Sequence, residues 1–239
     1  MLAVRMDRLQ GRSYWVAGDR RNDRQQLEFA YSLGRVFSRA FIPKDSEPFV
    51  CDITSRLKAA RESNMESLRP YLSILDRVTS AVGQIGVLPR FMRHPDFHDG
   101  NILIDDQGSV TGIVDWENIP EPEPFGFDFF RYLRFFGHYD SKTGYFEPTR
   151  MTDHFERAFW TGLMQSVEPF VRSSVGKNWQ IVQTCITAGF FLRGMQVHNN
   201  AIRLHQNGSV SWPVLLHYEI PQLRGSKPAF PEEFLQQLW

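Results

Sequence analysis

The sequence predicts an α+β protein that is predominantly helical and carries one β-hairpin near its middle. Three observations predict this class. Apolar residues recur at helical spacing over most of the chain, two short runs rich in β-branched residues are separated by a turn-forming segment, and 42% of the 239 residues are hydrophobic. Such a chain is long enough to bury a sizeable core. No internal repeat or linker divides it, so we expect a single domain over residues 1–239.

The first elements are a strand and a helix. Residues 2–9 (LAVRMDRL) alternate loosely and precede Gly11, which predicts a short strand that ends in a turn. Asn22 or Asp23 is a suitable N-cap for the helix that follows. Its apolar face is formed by Leu27, Tyr31, Gly34, Phe37 and Phe41. Pro43 should end this helix.

Two further helices and the hairpin come next. Residues 52–62 and 67–85 have helical spacing, and Pro70 suits a first turn. NILID and SVTGIVDW are then two strands, joined by the turn-forming residues 105–108.

The C-terminal region, residues 126–239, is predicted to be helical. The segment FGFDFFRYLRFF (125–136) has helical spacing that turns Phe127, Phe130 and Leu133 towards the core, with Asp128 near its start. Residues 153–172 and 178–204 predict two longer helices. Residues 207–239 look irregular, with a short helix after Pro231.

Charge and cysteine content exclude several classes of protein. Lys plus Arg equals Asp plus Glu at 27 each, so no overall field favours nucleic acid or an anionic membrane. No window reaches the roughly 18 apolar residues of a membrane helix. Cys51 and Cys185 form no CxxC pair, which fits a reducing compartment and predicts a cytoplasmic protein.

Three oxygen-bearing side chains around the hairpin are the candidate site. Asn101 begins the first strand and Asp115 ends the second, and antiparallel pairing brings such ends together. An Asn carbonyl and an Asp carboxylate are ligands that Mg²⁺ prefers. Asp96 lies shortly before Asn101, where it could accept the proton of a substrate hydroxyl. The pattern HxDxxxxN, strand, turn, strand, DWE therefore suits phosphoryl transfer.

Other interpretations of these residues remain open. Asp and Asn commonly cap helices and form turns, which needs no chemistry. His94 and His98 on either side of Asp96 suggest a transition-metal site, although the other histidines form no second cluster in the sequence. Cys185 and the tryptophans, Trp116 among them, are more simply explained as packing residues.

The segment HPDFHDGNILIDDQGSVTGIVDWE (94–117) resembles the catalytic segment of the aminoglycoside phosphotransferase and choline kinase group, two-lobed relatives of protein kinases. The resemblance implies that Asp96 is the catalytic base and that Asn101 and Asp115 are Mg²⁺ ligands. It also implies that His94 supports the catalytic loop and that Asp128 corresponds to a structural aspartate. The phosphoryl donor would be ATP or GTP, and the acceptor a hydroxyl of a small molecule.

RMDRLQGRS (5–13) is similar to the hinge strand of that family, in which the backbone of Met6 and Asp7 would contact adenine. Members carry an additional lobe ahead of the hinge, with a phosphate-covering loop and a paired lysine. Here no GxGxxG or GxxxxGK[ST] occurs, and the lysines before the motif are Lys44 and Lys58. We therefore expect the C-terminal lobe of a protein-kinase-like fold, comprising a hinge strand (2–9), a catalytic and metal-binding hairpin (94–117) and a helical region (126–239).

Three hypotheses for function follow. The first is a small-molecule kinase, apparently truncated; the second is a catalytically impaired pseudokinase or binding protein; the third is a different metal-dependent enzyme on the same scaffold. A hinge strand without its lobe has an unpaired edge, so we expect residues 2–9 to pair with a partner chain or a second copy.

Overall fold

The structure, a computed structural model, describes residues 9–17, 22–42, 50–62, 69, 71–94, 96–116, 122–129, 132, 134–140, 145–193, 195–198 and 201–204. Most of the predicted hinge strand lies outside these residues, including Met6 and Asp7. The segment 207–239 also lies outside them. No helix in the described part of the chain is long and apolar enough to cross a membrane.

The described α-helices are α1 (Tyr14–Ala17), α2 (Asp23–Phe37), α3 (Val50–Glu62), α4 (Leu72–Ala81), α5 (Thr152–Ser166), α6 (Pro169–Lys177) and α7 (Trp179–Arg193). Short 3₁₀ helices occupy Ser38–Ala40, Val82–Val87, Asp99–Asn101 and Arg134–Phe136. The predicted helices at the N-terminal side are thus confirmed over α2 and α3, and the predicted 67–85 helix is α4 followed by a 3₁₀ segment. The placement of Phe41 on the first helix is wrong, since α2 ends at Phe37 and Phe41 lies in a strand.

The described strands are β1 (Arg12–Ser13), β2 (Phe41–Ile42), β3 (Arg90–Phe91), β4 (Ile102–Ile104), β5 (Val110–Ile113), β6 (Glu123–Pro124), β7 (Gly137–Asp140), β8 (Tyr145–Pro148), β9 (Met195–His198) and β10 (Ala201–Leu204). They form two three-stranded sheets, β1-β4-β5 and β2-β3-β6, and two separate hairpins, β7-β8 and β9-β10. All pairs are antiparallel. The chain between β3 and β4 therefore connects the two three-stranded sheets.

Helix α2 begins where the sequence predicts. The Asn22 side chain accepts a hydrogen bond from the Gln25 N–H at 3.0 Å, and the Gln25 side chain accepts one from the Asn22 N–H at 3.2 Å. This reciprocal pair is a capping box, which satisfies two backbone donors that the helix itself cannot satisfy. Of the two predicted caps, Asn22 and Asp23, the structure has Asn22.

Helices α2 and α5 pack closely because each has a glycine at their crossing. A Cβ atom on Gly34 would collide with the Phe159 carbonyl, and one on Gly162 with the Tyr31 carbonyl. The phenylalanine rings around this crossing are buried, and each contributes about 1.5–3 kcal/mol through burial. The crossing positions α2 beneath the β4-β5 hairpin, where Ser32 Oγ accepts a hydrogen bond from the Val110 N–H at 2.8 Å.

The predicted helix over 125–136 is wrong in its first part. Residues 125–129 form consecutive turns, closed by the Phe127 N–H on the Pro124 carbonyl and the Phe129 N–H on the Gly126 carbonyl, both at 3.1 Å. Gly126 has a φ of +95°, which a right-handed helix does not accommodate. Phe127 is nevertheless buried, as predicted, whereas Phe130 and Leu133 lie outside the described residues.

The C-terminal region is not helical throughout, so the prediction for 126–239 needs correction. The expected helix 153–172 is divided into α5 and α6, because Glu168 is extended ahead of Pro169. The expected helix 178–204 ends at Arg193, and β9 and β10 follow as a hairpin. Val197 pairs with Ile202 there, and both β-branched residues suit a strand as well as they suit a helix.

Candidate active site

A buried histidine organises the loop between β3 and β4. His94 is fully buried, and both of its ring nitrogens have backbone partners. Nδ1 accepts a hydrogen bond from the Asp96 N–H at 3.2 Å, and Nε2 lies 2.8 Å from the Val114 carbonyl, to which it donates. One side chain thus ties the start of the loop to the segment that follows β5.

The surroundings of His94 keep its imidazole neutral. Burial lowers its pKa, and this effect outweighs the backbone hydrogen bonds and the nearby charges of Asp96 and Asp115, which act in the opposite direction. A neutral ring with its proton on Nε2 is the form that suits both backbone partners. The Asp96 and Asp115 carboxylates are therefore both near enough to the His94 ring to influence its pKa.

Asn101 is held at the end of the loop with its amide nitrogen occupied. It is 8% exposed, and Nδ2 donates a hydrogen bond to the Asp96 carbonyl at 3.0 Å. This bond directs the amide nitrogen back into the loop, so the side-chain oxygen Oδ1 remains the atom available to a ligand.

The hairpin register brings the segments of Asn101 and Asp115 together. Ile102 pairs with Ile113, and the Val114 N–H donates to the Asn101 carbonyl at 2.9 Å. Asp115 is the next residue along the chain and is exposed. The expectation that antiparallel pairing aligns these strand ends is confirmed for the backbone.

Asp115 has an unusual backbone conformation. Its φ is +68°, the left-handed region, and among the described residues other than glycine it alone has a positive φ. An Asp in this region is held there by the surrounding structure at a cost of about 1–3 kcal/mol, and such residues concentrate at functional sites. The neighbouring Trp116 closes the turn through Nε1 on the Ile113 carbonyl at 2.9 Å, and its ring packs on His94 with centroids 4.5 Å apart.

Asp96 faces solvent beside His98. The Asp96 side chain is 73% exposed, and His98 Nε2 lies 3.5 Å from Asp96 Oδ2. An exposed carboxylate is accessible to a substrate.

The alternative transition-metal site at His94 and His98 finds no support. Both nitrogens of His94 are committed to backbone groups, and His98 Nδ1 accepts the Gly100 N–H at 2.9 Å. Over the described stretches, no group of three His, Cys, Asp or Glu side chains could hold a metal ion. Three of the four ring nitrogens are thus bonded to the loop backbone, which leaves only His98 Nε2, 3.5 Å from the Asp96 carboxylate.

A buried polar cluster behind the loop was not predicted from the sequence. Arg93 Nε lies 3.4 Å from Glu123 Oε1, and the Glu123 side chain is 6% exposed. Asp128, which is also buried, borders the same small cavity together with Tyr132. Arg93 directly precedes His94, so the pair joins β6 to the start of the loop; no spacing in the sequence signals this contact.

Comparison with protein families identifies the class of protein to which this site belongs. A family model described as "Phosphotransferase enzyme family" matches residues 1–143, which include the whole 94–117 segment. The match defines a kinase-like phosphotransferase in general terms. It covers more than half of the 239 residues, and the chain therefore belongs to the phosphotransferase enzyme family. The resemblance seen in the sequence is thereby confirmed. A search of curated proteins found no match.

Proposed function

We propose that this protein transfers the terminal phosphoryl group of ATP or GTP to a hydroxyl group of a small molecule. The observation that carries the proposal is the set of hydrogen bonds around His94, which join the backbone of Asp96 to Asn101 and to Val114, the residue before Asp115. His94 bonds both the Asp96 backbone and the segment ahead of Asp115, and Asn101 bonds the Asp96 carbonyl. These bonds support the proposal, because phosphoryl transfer needs a carboxylate for the proton and oxygen ligands for a cation on segments that are held together.

The donor set suits Mg²⁺. Asn101 offers Oδ1 because Nδ2 is engaged, and Asp115 offers an exposed carboxylate on a backbone held in the left-handed region. Mg²⁺ prefers oxygen ligands and commonly takes one or two protein side chains together with phosphate oxygens and water. When bound, it would neutralise negative charge on the phosphates.

Asp96 would act on the acceptor. Its exposed carboxylate would accept a hydrogen bond from the substrate hydroxyl, orient the oxygen towards the phosphorus and take up the proton as the new bond forms. The Asp96 backbone is held from both sides by His94 and Asn101, so the point from which the side chain extends is defined. The C-terminal helices of the lobe would provide acceptor specificity.

Calorimetric titration with ATP and Mg²⁺ tests the metal ligands. The wild-type chain should bind the nucleotide only when Mg²⁺ is present, and Asp115→Asn should abolish that binding. Asp106→Asn is the matched control, since Asp106 lies on the same hairpin at its far end and is paired with Arg12 on the surface. Binding that is indifferent to Mg²⁺, or loss in the control alone, would refute the assignment of Asp115.

Phosphate transfer to a panel of aminoglycosides, choline and sugars tests the base. Asp96→Asn should lower the rate by about 10²–10⁴-fold while Mg·ATP binding persists. A variant with full activity would remove Asp96 from the mechanism. Metal-dependent nucleotide binding without transfer to any acceptor would favour a pseudokinase or binding protein, and metal-dependent turnover without phosphate transfer would favour another enzyme on this scaffold.

A further inference from the structure

We propose that His98 is a positioning residue for Asp96, holding one carboxylate oxygen so that the other faces the substrate hydroxyl. The inference rests on the proposed function for its consequence in catalysis, but the contact itself can be tested without it. It is carried by the contacts of the His98 ring with Gly100 and with the Asp96 carboxylate.

The first contact defines the tautomer of His98. Nδ1 accepts a hydrogen bond from the Gly100 N–H at 2.9 Å, so the proton of the neutral ring lies on Nε2. The Asp99 carboxylate is 3.9 Å from Nδ1, too far for a hydrogen bond, and therefore does not compete.

The second contact defines where the Nε2–H is directed. Nε2 lies 3.5 Å from Asp96 Oδ2, which is an ion-pair distance and longer than a normal hydrogen bond. The Asp96 side chain is 73% exposed and free to rotate, and the inference requires that it rotate until Oδ2 accepts a hydrogen bond from Nε2–H. Catalytic hydrogen bonds are commonly long without substrate and tighten when it binds.

Gly100 allows the ring to occupy this position. A Cβ atom there would lie 2.6 Å from His98 Cε1 and 2.9 Å from Nδ1, which is closer than carbon atoms can approach. The ring therefore lies directly over the backbone of Gly100. The hydrogen bond from the Gly100 N–H holds it there, and this bond does not involve the Asp96 side chain.

The consequence concerns the orientation of the general base. An exposed Asp samples several rotamers, and only some direct an oxygen at a hydroxyl beside the phosphate. A donor on Oδ2 selects among them and leaves Oδ1 for the incoming proton. The role of His98 is to orient Asp96, since its Nδ1 is engaged by the Gly100 N–H. Loss of such orientation lowers the rate by about 10–100-fold.

Two conservative substitutions separate positioning from loop structure. In His98→Asn the side-chain oxygen replaces Nδ1 as acceptor for the Gly100 N–H, but no donor reaches Asp96. In His98→Gln the amide nitrogen replaces Nε2 as donor to Asp96, but the acceptor for Gly100 is lost. We expect His98→Asn to retain its Tm and its KM for Mg·ATP while kcat falls about 10–100-fold, and His98→Gln to recover most of kcat. The opposite order, with Asn active and Gln impaired, would show that His98 serves only the loop.

Nuclear magnetic resonance on the ¹⁵N-labelled full chain tests the contact independently of activity. Ring correlations should identify His98 as the Nε2–H tautomer, with His98→Asn assigning its signals by their absence. Asp96→Ala should shift the Nε2–H resonance, whereas Asp106→Ala should not. An Nδ1–H tautomer, or a resonance unaffected by Asp96→Ala, would overturn the inference even in an active kinase. If the wild-type chain transfers no phosphate, the proposed function fails, and the resonance alone decides whether His98 holds Asp96.

Discussion

Replacing His94 by Ala should destabilise the protein by about 3 kcal/mol, because the side chain has no exposed surface and bonds two backbone groups. The Val114 carbonyl loses the Nε2–H at 2.8 Å, and a buried acceptor left without its donor costs about 1–3 kcal/mol. The Asp96 N–H loses its acceptor at 3.2 Å near the surface, which costs about 0.5–1.5 kcal/mol. Lost ring packing against Trp116 adds about 0.5–1.5 kcal/mol.

Two amide substitutions divide this effect between the two hydrogen bonds. His94→Gln can still donate to the Val114 carbonyl, and His94→Asn can still accept from the Asp96 N–H. The Val114 bond is shorter than the Asp96 bond, and Val114 is less exposed than Asp96. We therefore expect the free energy of unfolding to decrease in the order wild type, Gln, Asn, Ala.

Urea unfolding at pH 7.5, followed by tryptophan fluorescence, measures these differences. For a chain of this size, 3 kcal/mol corresponds to a Tm lower by roughly 6–12 °C. If the free energy of unfolding of His94→Ala were within about 1 kcal/mol of the wild-type value, the two hydrogen bonds would not contribute as the structure indicates. If Asn were more stable than Gln, the Asp96 contact rather than the Val114 contact would dominate.

Three further predictions concern stability and reactivity. Burial lowers the pKa of His94 below its ordinary value of 6.5, so its contribution to stability should be complete above about pH 6.5 and be lost as the pH falls below that value. The free energy of unfolding should decrease by up to about 1.4 kcal/mol per pH unit on this account. His94→Gln should remove this contribution to the pH dependence of stability, measured between pH 7.5 and 5.5. Gly162→Ala should destabilise by about 3 kcal/mol or more, because the new methyl group meets the Tyr31 carbonyl, whereas Gly83→Ala, with open space around its Cβ, should be neutral or slightly stabilising in thermal unfolding. Burial, assisted by the charge of Glu123, raises the pKa of the Cys185 thiol, so peptide mapping after iodoacetamide treatment should find Cys185 unmodified in the native chain and modified in urea; rapid labelling of the native chain would contradict its burial.

Features that depend on neighbouring residues could be predicted from the sequence. The cap of α2 is one, since Asn22 and Gln25 are three positions apart and bond each other within a single turn. The hairpin turn is another, because the Asp105 side chain accepts from the backbone N–H groups of Gln107 and Ser109, both at 2.9 Å. Such patterns require no information about the rest of the fold.

Predictions failed where distant packing decides the backbone. The aromatic residues around Phe127 have helical spacing, yet Gly126 adopts a positive φ and packs against Val182 and Ile186 of α7. Helical spacing reports which residues are apolar, and both a helix and a series of turns can bury them. Packing against α7, which is distant in the sequence, accompanies the turn conformation and cannot be read from the local spacing.

The types and order of the site residues were determined by the sequence alone. Asp96, Asn101 and Asp115 could be named from the spacing of HxDxxxxN and DWE. The hairpin that joins Asn101 and Asp115 could be predicted from its turn. Only the tertiary structure decided how these residues are held. Burial of His94 keeps its ring neutral, and the hydrogen bond from the Gly100 N–H leaves the proton of His98 on Nε2. Arg93, just after β3, lies close to Glu123 in β6. Protonation states and ion pairs depend on burial and on distances between chain-distant atoms, and neither exists until the chain has folded.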